Sequence, residues 1–541
     1  MRRNACKSIS FPQSNTLKRL SRPIVEDLRV AMRHNFCVAF AVFITGTLAA
    51  QPSINIDQRF AQLRKNPPEL YAFLLAMPKG ADLHMHVGGS VYAETYMRFA
   101  ADDGLCVDTR TYALIARSAG GCGDAKDAAL LRTDNSLASA VTDSLSMRNF
   151  VPGRENAHDH FFNAFAKFGP TKPERRGEML AEIIQRAAEQ NESYLELMAL
   201  NATAANGAGE AAGFDGDFDG TKAKLMAAGL PQAVATMRKQ IDEYDEARQA
   251  ALGCAAQPNS PACQVAVGYI CQILRESPKE RVFAQLLAGF ALASQDSRVV
   301  GINMVQPEDG LVSMRDYHLQ MQMAGYARRL YPKVHVTLHA GELSSGLVPP
   351  DGLRFHVREA VDIAQAERIG HGADVAYETD APGLLAEMKR KGIMVEINLT
   401  SNDLILGIRG KDHPLPLYRK SGVPVALSTD DEGVSRTHLT QEYWRAVLDY
   451  GFSYTELKDM VRNSLEYSFA PGASYWKERN YRLPVAACAA GTKTSVCRAF
   501  LKDNEKARLQ ADLEERFVRF ERTVSGSTAS SGAPAAQRAL P

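Results

Sequence analysis

The sequence predicts an α/β fold: a (β/α)₈ TIM barrel with an insertion after its first strand and extensions at both ends. Eight short apolar runs, rich in Val, Ile and Leu, are typical of strands buried on both faces, and helix-like segments separate them. The polar residues best suited to chemistry stand at the carboxyl ends of these runs, where barrel enzymes hold their active sites. An open, doubly wound sheet is the alternative, but no glycine-rich phosphate loop follows any run.

The barrel strands follow from the apolar runs in chain order. Helical segments fall between them, for example at 175–190, around 283–295 and at 384–392, where Gly392 would end a helix. Residues 101–160 break the alternation with small and polar residues, and we expect an insertion there that caps the barrel mouth. The predicted strands are GADLHMH (80–86), YLELMAL (194–200), VGYICQIL (267–274), RVVGINMV (298–305), KVHVTLHA (333–340), RIGHG (368–372), IMVEINLT (393–400) and VPVALSTD (423–430).

Composition and charge limit the class of protein. The 541 residues are enough for one large domain with extensions or for two ordinary domains. Hydrophobic residues make up 45% and charged residues 23%, which indicates a globular core. The 63 basic and 62 acidic residues leave a net charge of +1, and no long basic run is present. We therefore expect neither a nucleic-acid partner nor binding to a membrane surface.

The amino-terminal region has the pattern of a secretory signal. Residues 36–50 form an apolar run that ends in small residues, and Arg33 and His34 precede it. The run is short for a permanent membrane anchor, which is the alternative. Met32 as the true start would give the signal a short charged lead, and residues 1–31 would then be an over-extended gene prediction.

The predicted domain organisation has three parts. Residues 1–50 are the extension and signal, residues 51–524 the barrel domain, and residues 525–541, rich in Ser, Ala, Gly and Pro, a disordered tail. We expect an exported protein, periplasmic or extracellular, with no stable membrane association after the signal is cleaved.

Cysteine usage agrees with export. Of the nine cysteines, Cys6 and Cys37 lie in or before the signal, and Cys271 lies in an apolar run and is predicted to be a buried thiol. The other six form three close pairs in loop-like stretches, as expected of disulfides in an oxidising compartment. A zinc site made of cysteines is the competing hypothesis, but no C-x-x-C spacing occurs. The pairs are Cys106 with Cys122, Cys254 with Cys263, and Cys488 with Cys497.

Three histidines and one aspartate are the candidate metal ligands. His84 and His86 are two residues apart at the end of the first strand, so their side chains share one face. His339 ends the fifth strand and Asp430 the eighth. Three imidazoles and one carboxylate suit a divalent ion such as Zn²⁺, with a remaining position for water. Unrelated core histidines and a helix-capping aspartate are the alternative.

Three further residues are candidates for proton transfer and substrate contact. Glu342 lies three residues beyond His339 and could act as an acid, or could simply be a first-turn carboxylate favoured by a helix dipole. His371 ends the sixth strand and is a candidate general base, or a buried imidazole bonded to the backbone. Asp431 could accept a hydrogen bond from a substrate N–H.

These motifs together resemble the adenosine/AMP deaminase family of amidohydrolase-like barrels. DLHMH, HAGE, RIGHG and STDD occur in the family's order, and the resemblance runs from about Pro78 to about Ser468. The signal, insertion and cysteines resemble the secreted adenosine deaminase-related growth factor branch and its bacterial relatives. The cytidine-type deaminase motif, H-x-E followed by P-C-x-x-C, is absent.

The resemblance implies one Zn²⁺ per chain and a role for each site residue. The zinc ligands would be His84, His86, His339 and Asp430. Glu342 would donate a proton to purine N1, His371 would orient and help deprotonate the attacking water, and Asp431 would hold that water and ring N7. The implied reaction converts adenosine, and 2′-deoxyadenosine, to inosine and ammonia. The implied partner is a small-molecule purine nucleoside, and the secreted relatives suggest a homodimer.

The substrate pocket departs from the family pattern at two positions. Gly88 stands where the family often has an acidic residue that contacts the ribose, and Gln306 stands where it often has a glycine close to ring N3. Both are predicted to line the substrate pocket, and Glu308 and Asp309 are candidates to take over polar contacts there.

Three further polar residues lie near the last two predicted strands. Ser401 and Asn402 are weaker pocket candidates, and His413 is interpreted as a loop residue without a role. The alternative functions are a zinc hydrolase of the same barrel that acts on another purine, a modified nucleoside or a nucleotide, and a secreted binding or signalling protein without turnover.

Overall fold

The computed structural model describes residues 55–526, which contain eleven strands. Eight of these strands form one parallel sheet in the order β1-β5-β6-β7-β8-β9-β10-β11, and β2, β3 and β4 form a small antiparallel sheet. The strands are β1 (Ala81–His86), β2 (Cys106–Val107), β3 (Leu114–Ile115), β4 (Lys126–Asp127), β5 (Tyr194–Asn201), β6 (Ala266–Leu274), β7 (Val299–Val305), β8 (His335–Ala340), β9 (Arg368–His371), β10 (Met394–Ile397) and β11 (Val425–Leu427).

The last strand returns to the first and closes the barrel at its carboxyl end. The Asp430 N–H donates to the His84 carbonyl at 2.8 Å, and the His86 N–H donates to the Asp430 carbonyl at 3.0 Å. Each predicted run coincides with one barrel strand, so the predicted (β/α)₈ barrel is confirmed. Its strands are apolar because both faces are covered: every residue of β7 is buried, as parallel sheets between helices require.

Helices cover the outside of the barrel, and α14 ends where the sequence predicts. Gly392 ends α14 with a left-handed φ of 70°, and Ser453 and Glu456 form a capping box at the start of α19. The helices are α1 (Ile56–Leu63), α2 (Pro67–Ala76), α3 (Val87–Ser90), α4 (Ala93–Asp102), α5 (Asn135–Ser144), α6 (Ala157–Lys167), α7 (Arg176–Glu189), α8 (Asn206–Ala212), α9 (Phe218–Ala227), α10 (Leu230–Leu252), α11 (Lys279–Ala293), α12 (Leu311–Leu330), α13 (His356–Asp362), α14 (Ala381–Lys391), α15 (Leu399–Leu406), α16 (Leu415–Ser421), α17 (Glu432–Ser435), α18 (Leu439–Tyr450), α19 (Tyr454–Glu466), α20 (Ser495–Asp503) and α21 (Glu505–Gly526).

The predicted insertion at 101–160 contains the small sheet β2–β4, helix α5 and the start of α6. Its small sheet is tied by the disulfide between Cys106 and Cys122. Helix α6 continues past the predicted boundary and brings phenylalanine rings to the cavity at the barrel mouth. The insertion therefore reaches the mouth through α6.

All three predicted cysteine pairs are disulfides in the structure, and Cys271 is a buried free thiol. Each of these disulfides closes a short loop, with sequence separations of 16, 9 and 9 residues. The competing cysteine zinc site is therefore wrong for these six residues.

Several predictions fall outside the described residues. These are the signal at 36–50, the start at Met32, Cys6 and Cys37, and the tail beyond residue 526. The first two residues of the predicted tail belong to the end of α21. Within 55–526, none of the helices combines the length and apolarity that crossing a membrane demands.

Candidate active site

The structure brings the four predicted metal ligands together at the carboxyl end of the barrel. The Nε2 atom of His339 lies 3.1 Å from that of His84 and 3.2 Å from that of His86. The Oδ1 atom of Asp430 lies 3.5 Å from His84 Nε2 and 3.3 Å from His86 Nε2. All four donor atoms lie within 4.8 Å of one another. They therefore surround a common point, although they come from β1, from β8 and from the segment that follows β11.

These separations fit one small cation. Two ligands of a tetrahedral ion with bonds of about 2.0–2.1 Å lie roughly 3.3 Å apart, close to the spacings seen here. Three imidazole nitrogens and one carboxylate oxygen are donors of the kind that first-row divalent ions bind. The donor set thus fits a divalent metal ion.

The backbone at the strand ends is held in a rare conformation. Gln306, His371 and Asp430 have φ values of 85°, 68° and 64°, a left-handed region that costs free energy for residues other than glycine. Two glycines permit close approach. A Cβ on Gly370 would lie 2.7 Å from His84 Cε1, and a Cβ on Gly89 would overlap the Asp431 carboxylate. The geometry of the site therefore depends on the absence of a Cβ atom at Gly89 and Gly370 as well as on its polar groups.

The three predicted proton-transfer and substrate residues lie beside the metal ligands. His371 Nε2 is 3.7 Å from Glu342 Oε1 and 3.9 Å from Asp430 Oδ2. Burial, reinforced by the nearby charge of Asp430, raises the pKa of both Glu342 and Asp431 well above the ordinary carboxyl range. The buried Oδ1 atom of Asp431 has no hydrogen-bond partner. The site thus combines a carboxyl group that favours its protonated form with a carboxyl oxygen that is open to a substrate donor.

Comparison with known proteins places this arrangement in one family. The family model of adenosine deaminase matches residues 230–477. The adenosine deaminase of Clostridium perfringens is 24% identical over 404 residues, covering 73% of this chain and 95% of the relative. The adenine deaminase of Rhizobium rhizogenes is 30% identical over 35% of this chain and 53% of the relative. An amidohydrolase from Burkholderia ambifaria, solved with bound Zn, has the same fold, with a TM-score of 0.51, 17% identity, and coverage of 84% of this chain and 95% of that one.

Residues 230–477 of the chain match an adenosine deaminase domain, and the similarity to an adenosine deaminase extends over 73% of the chain. The chain is a metal-dependent aminohydrolase and a hydrolytic deaminase, and the resemblance drawn from the four motifs is confirmed. The roles of the individual site residues stay predictions, which the geometry around them now makes specific.

Each imidazole of this deaminase is held by a polar partner behind it. The Nδ1–H of His84 donates to Glu396 Oε2 at 2.7 Å, and the Nδ1–H of His339 donates to Asn303 Oδ1 at 2.9 Å. His86 Nδ1 lies 3.2 Å from Gln272 Oε1. Because Nδ1 carries the proton in each contact, the Nε2 lone pair faces the common point, as metal ligation requires.

Burial lowers the pKa of His86 to about 4 and that of His339 well below its ordinary value, so both rings are neutral. At His84 burial acts in the same direction, but hydrogen bonds to the carboxylates of Asp430 and Glu396 outweigh it and raise the pKa to about 10. A cation bound to His84 Nε2 would displace this proton, because only a neutral imidazole offers its lone pair to a metal.

Replacing Glu396 with glutamine is expected to lower the metal affinity of the deaminase by about 10- to 100-fold, the usual effect of losing a partner behind a ligand. Burial alone would raise the pKa of Glu396, but Arg368 and His84 hold it at about 2, so an ionised carboxylate is lost. The measurement is a competition titration against a chelator. Glu387→Gln, which removes an ion pair to Lys391 on α14, is the control and should keep wild-type affinity.

Other polar side chains orient the remaining site residues. Ser401 Oγ donates to Asp430 Oδ2 at 2.6 Å, and Asn402 Oδ1 accepts the Nδ1–H of His371 at 2.9 Å. The other end of Asn402 donates to Nε2 of His413, which is buried, at 2.9 Å. Ser401 and Asn402 therefore act from behind the site and not in the pocket. His413 lies in a loop, as predicted, but its contact with Asn402 gives it a structural role that the sequence did not indicate.

Glu308 and Asp309, which the sequence suggested for polar contacts with the substrate, do not line the cavity. Glu308 is only 1% exposed, and its carboxylate accepts the main-chain N–H groups of Gly341 and Glu342 at 3.0 and 2.8 Å. Asp309 lies 3.0 Å from Nε2 of His158 on α6. Glu308 thus holds the loop that carries Glu342, and Asp309 anchors the helix at the barrel mouth.

A cavity of about 430 Å³ opens onto the metal-ligand cluster, within the usual range for small-molecule sites. Gly88 and Gln306 both line it, as predicted. No atom lies within 4 Å of a Cβ built on Gly88, so open space is found there. Gln306 Oε1 accepts the Glu276 N–H at 2.9 Å. Other lining residues include Phe161, Phe162, Phe165, Arg176, Met198 and Ile405.

The polar residues behind the ligands were missed by sequence reasoning, although some left a signal. Glu396 and Asn303 are lone polar residues inside otherwise apolar strand runs, and such residues need a buried partner. Arg176, which lines the cavity, left no such signal in the sequence, because a basic residue at the start of an amphipathic helix is usually exposed to solvent.

Proposed function

We propose that the protein is a zinc-dependent deaminase of purine nucleosides, which converts adenosine and 2′-deoxyadenosine to inosine or 2′-deoxyinosine and ammonia. One observation carries the proposal. The cavity joins the metal-ligand cluster to the Glu342 carboxyl group, whose pKa is raised, and to the unpartnered oxygen of Asp431. Hydrolysis of a 6-aminopurine needs these three elements side by side.

Zinc is proposed from the donor set. His84, His86, His339 and Asp430 supply nitrogen and oxygen ligands at spacings suited to a tetrahedral ion. The related Burkholderia amidohydrolase was solved with zinc, which supports the same choice here. When bound, Zn²⁺ supplies Lewis acidity and lowers the pKa of water toward neutrality.

The residues of this chain would handle the protons of the reaction. Protonated Glu342 donates to ring N1, which makes C6 more electrophilic. His371 takes a proton from the attacking water at Nε2, since its Nδ1 is occupied by Asn402. Asp431 accepts a hydrogen bond from the substrate. A C6–O bond forms, the C6–N bond breaks, and the proton held by His371 leaves with ammonia. The remaining hydroxyl proton returns to Glu342, which leaves the C6 carbonyl of the product and restores the acid.

The proposed substrate is a nucleoside and not the free base. The relatives include both an adenosine deaminase and an adenine deaminase, which differ in whether a sugar is attached to the base. In this chain the cavity continues from the metal cluster to the phenylalanines of α6, which leaves room for a sugar. We therefore favour a nucleoside over the free base. A binding protein without turnover is not favoured, since the chain is an aminohydrolase.

Export is a proposal supported by the three disulfides, because such bonds persist in oxidising compartments. A homodimer stays a prediction from the resemblance.

A nucleoside panel tests the proposed function. The purified, zinc-loaded protein should convert adenosine to inosine, followed by the change in ultraviolet absorbance and by ammonia release. Adenosine, 2′-deoxyadenosine, adenine and 5′-AMP are compared by kcat/KM, and metal content is measured on the same sample. If the loaded protein releases ammonia from adenine but from no nucleoside, the nucleoside assignment is wrong; if it acts on none of the panel, the proposed substrate class is wrong.

A further inference from the structure

Arg176 is an unusual component of the cavity wall. It is the first residue of α7 and lines the cavity together with the metal ligands. Across the described part of the chain, no carboxylate lies within ion-pair distance of its guanidinium group, and no hydrogen bond holds it. The preceding residue shows the contrast: Arg175 donates to Asp103 and to Glu178. A cation that faces a cavity without a counter-charge is available for a ligand.

The surroundings of Arg176 connect it to Gly88 through Tyr96. Its guanidinium carbon lies 5.5 Å from the centre of the Tyr244 ring, a contact that orients the cation without neutralising it. Its charge lowers the pKa of Tyr96, whose burial raises it, and the Tyr96 hydroxyl donates to the Gly88 carbonyl at 2.6 Å. The space beside Gly88 is open. A ligand group can therefore occupy the region between Gly88 and Arg176.

Charged residues of both signs line the cavity. Glu342, Asp430 and Asp431 are grouped at the metal cluster, and Asp430 and Glu342 are the charges that act on the pKa of Asp431. Arg176 is the lining residue with a permanent positive charge. Phenylalanines of α6 line the same cavity and restrict water, which strengthens a charge-assisted hydrogen bond.

This inference rests on the proposed function for the orientation of the substrate. A purine whose C6 faces the metal cluster directs N9 and its sugar away from that cluster. The 5′ carbon is the outer end of the sugar. In this orientation it would point toward the open space beside Gly88 and toward Arg176.

We infer that Arg176 forms an anion subsite, and that the preferred substrates are 6-aminopurine nucleosides with an anionic group at the 5′ position. A phosphate and a carboxylate share the required chemistry, since each presents oxygens to the fork of N–H donors of arginine. Arg176 then determines specificity, and the chemistry at C6 is left to the metal cluster and its neighbours.

The test compares charged and neutral substrates of matched shape. Adenosine 5′-carboxylate and adenosine 5′-carboxamide differ mainly in charge, and 5′-AMP with adenosine gives the phosphate comparison. The wild-type protein should show a kcat/KM for the carboxylate about tenfold or more above that for the carboxamide, as expected of a charged hydrogen bond. Arg176→Gln should bring this ratio close to one, and Arg176→Lys should retain part of it. The ratio should also fall as salt is added.

Arg329→Gln is the matched control. Arg329 lies 5.9 Å from the Tyr326 ring on α12 and is not a cavity residue, so its loss removes the same charge from a similar contact. It should leave the charged-to-neutral ratio unchanged. A wild-type ratio near one for both pairs overturns the inference, as does an Arg176→Gln variant that loses activity equally on both members of each pair. The pair with the larger ratio identifies phosphate or carboxylate as the better ligand.

A binding measurement separates this inference from the proposed function. Calorimetry with inosine 5′-monophosphate and with inosine reports on the subsite without turnover. Tighter binding of the phosphate to wild-type protein, lost in Arg176→Gln, supports the subsite even if no nucleoside is deaminated. Equal binding of the two compounds by wild-type and variant protein overturns it even if adenosine is a good substrate.

Discussion

Replacing His339 with alanine is expected to abolish deamination, with a loss in kcat on the order of 10⁴-fold or more. His339 lies between the other two imidazoles, with its Nε2 atom 3.1 and 3.2 Å from theirs, so its removal leaves an incomplete donor set. The variant should also bind less than one metal ion per chain under conditions that saturate the wild-type protein. The measurements are ammonia release and metal content on the same preparation.

His335→Ala is the control for this experiment. His335 belongs to the same strand, β8, but its side chain is 45% exposed, stacks on Phe469 and pairs with Glu367 away from the cavity. It should keep both metal and activity. Chelation of the wild-type protein should reproduce the loss, and added zinc should restore wild-type activity but not that of His339→Ala. A His339→Ala protein that is folded and fully active would refute the assigned metal centre.

Replacing Glu342 with glutamine is expected to lower kcat by about 10²- to 10⁴-fold while metal content stays unchanged. Glutamine keeps the shape of the side chain but has no acidic proton to give to ring N1. The sign of the pH dependence follows from burial, which raises the pKa of Glu342. The protonated form is active, so the rate should fall as the pH rises through that pKa, and the variant should lack this decline.

Glu378→Gln provides a matched buried carboxyl group outside the cavity. Burial raises the pKa of Glu378 to about 7, and its carboxylate accepts the main-chain N–H of Val357 at the start of α13. The variant should lose stability but keep its rate per folded molecule. If Glu342→Gln retains the wild-type rate and pH profile, the proton comes from another group.

The barrel and its ligands could be predicted because each leaves a local mark in the sequence. Apolar runs of Val, Ile and Leu mark strands with two covered faces, and a histidine or aspartate at the end of such a run is placed at the barrel mouth by topology alone. The spacing of His84 and His86 puts both on one face for the same reason. These are properties of short segments and need no knowledge of distant packing.

The supporting residues could not be predicted in the same way. Glu308 is adjacent to the predicted pocket in sequence, yet its carboxylate turns to the loop of Glu342, a choice made by tertiary packing. Asn402 and His413 act through a chain of contacts whose members come from separate segments. The side on which Arg176 faces the cavity depends on how α7 lies against the barrel. Only the three-dimensional arrangement decides these cases.

The hydrogen bonds that close the barrel also have a consequence for maturation. Asp430 joins the first strand through its main chain, and its side chain belongs to the proposed set of metal ligands, so barrel closure and metal binding would depend on the same residue. A nascent chain that has not yet delivered β11 lacks a quarter of the donor set, and metal acquisition must follow synthesis of nearly the whole domain. An ion that needs all four ligands would bind only the closed form, would stabilise it against reopening, and would make tightly bound metal a reporter of completed folding.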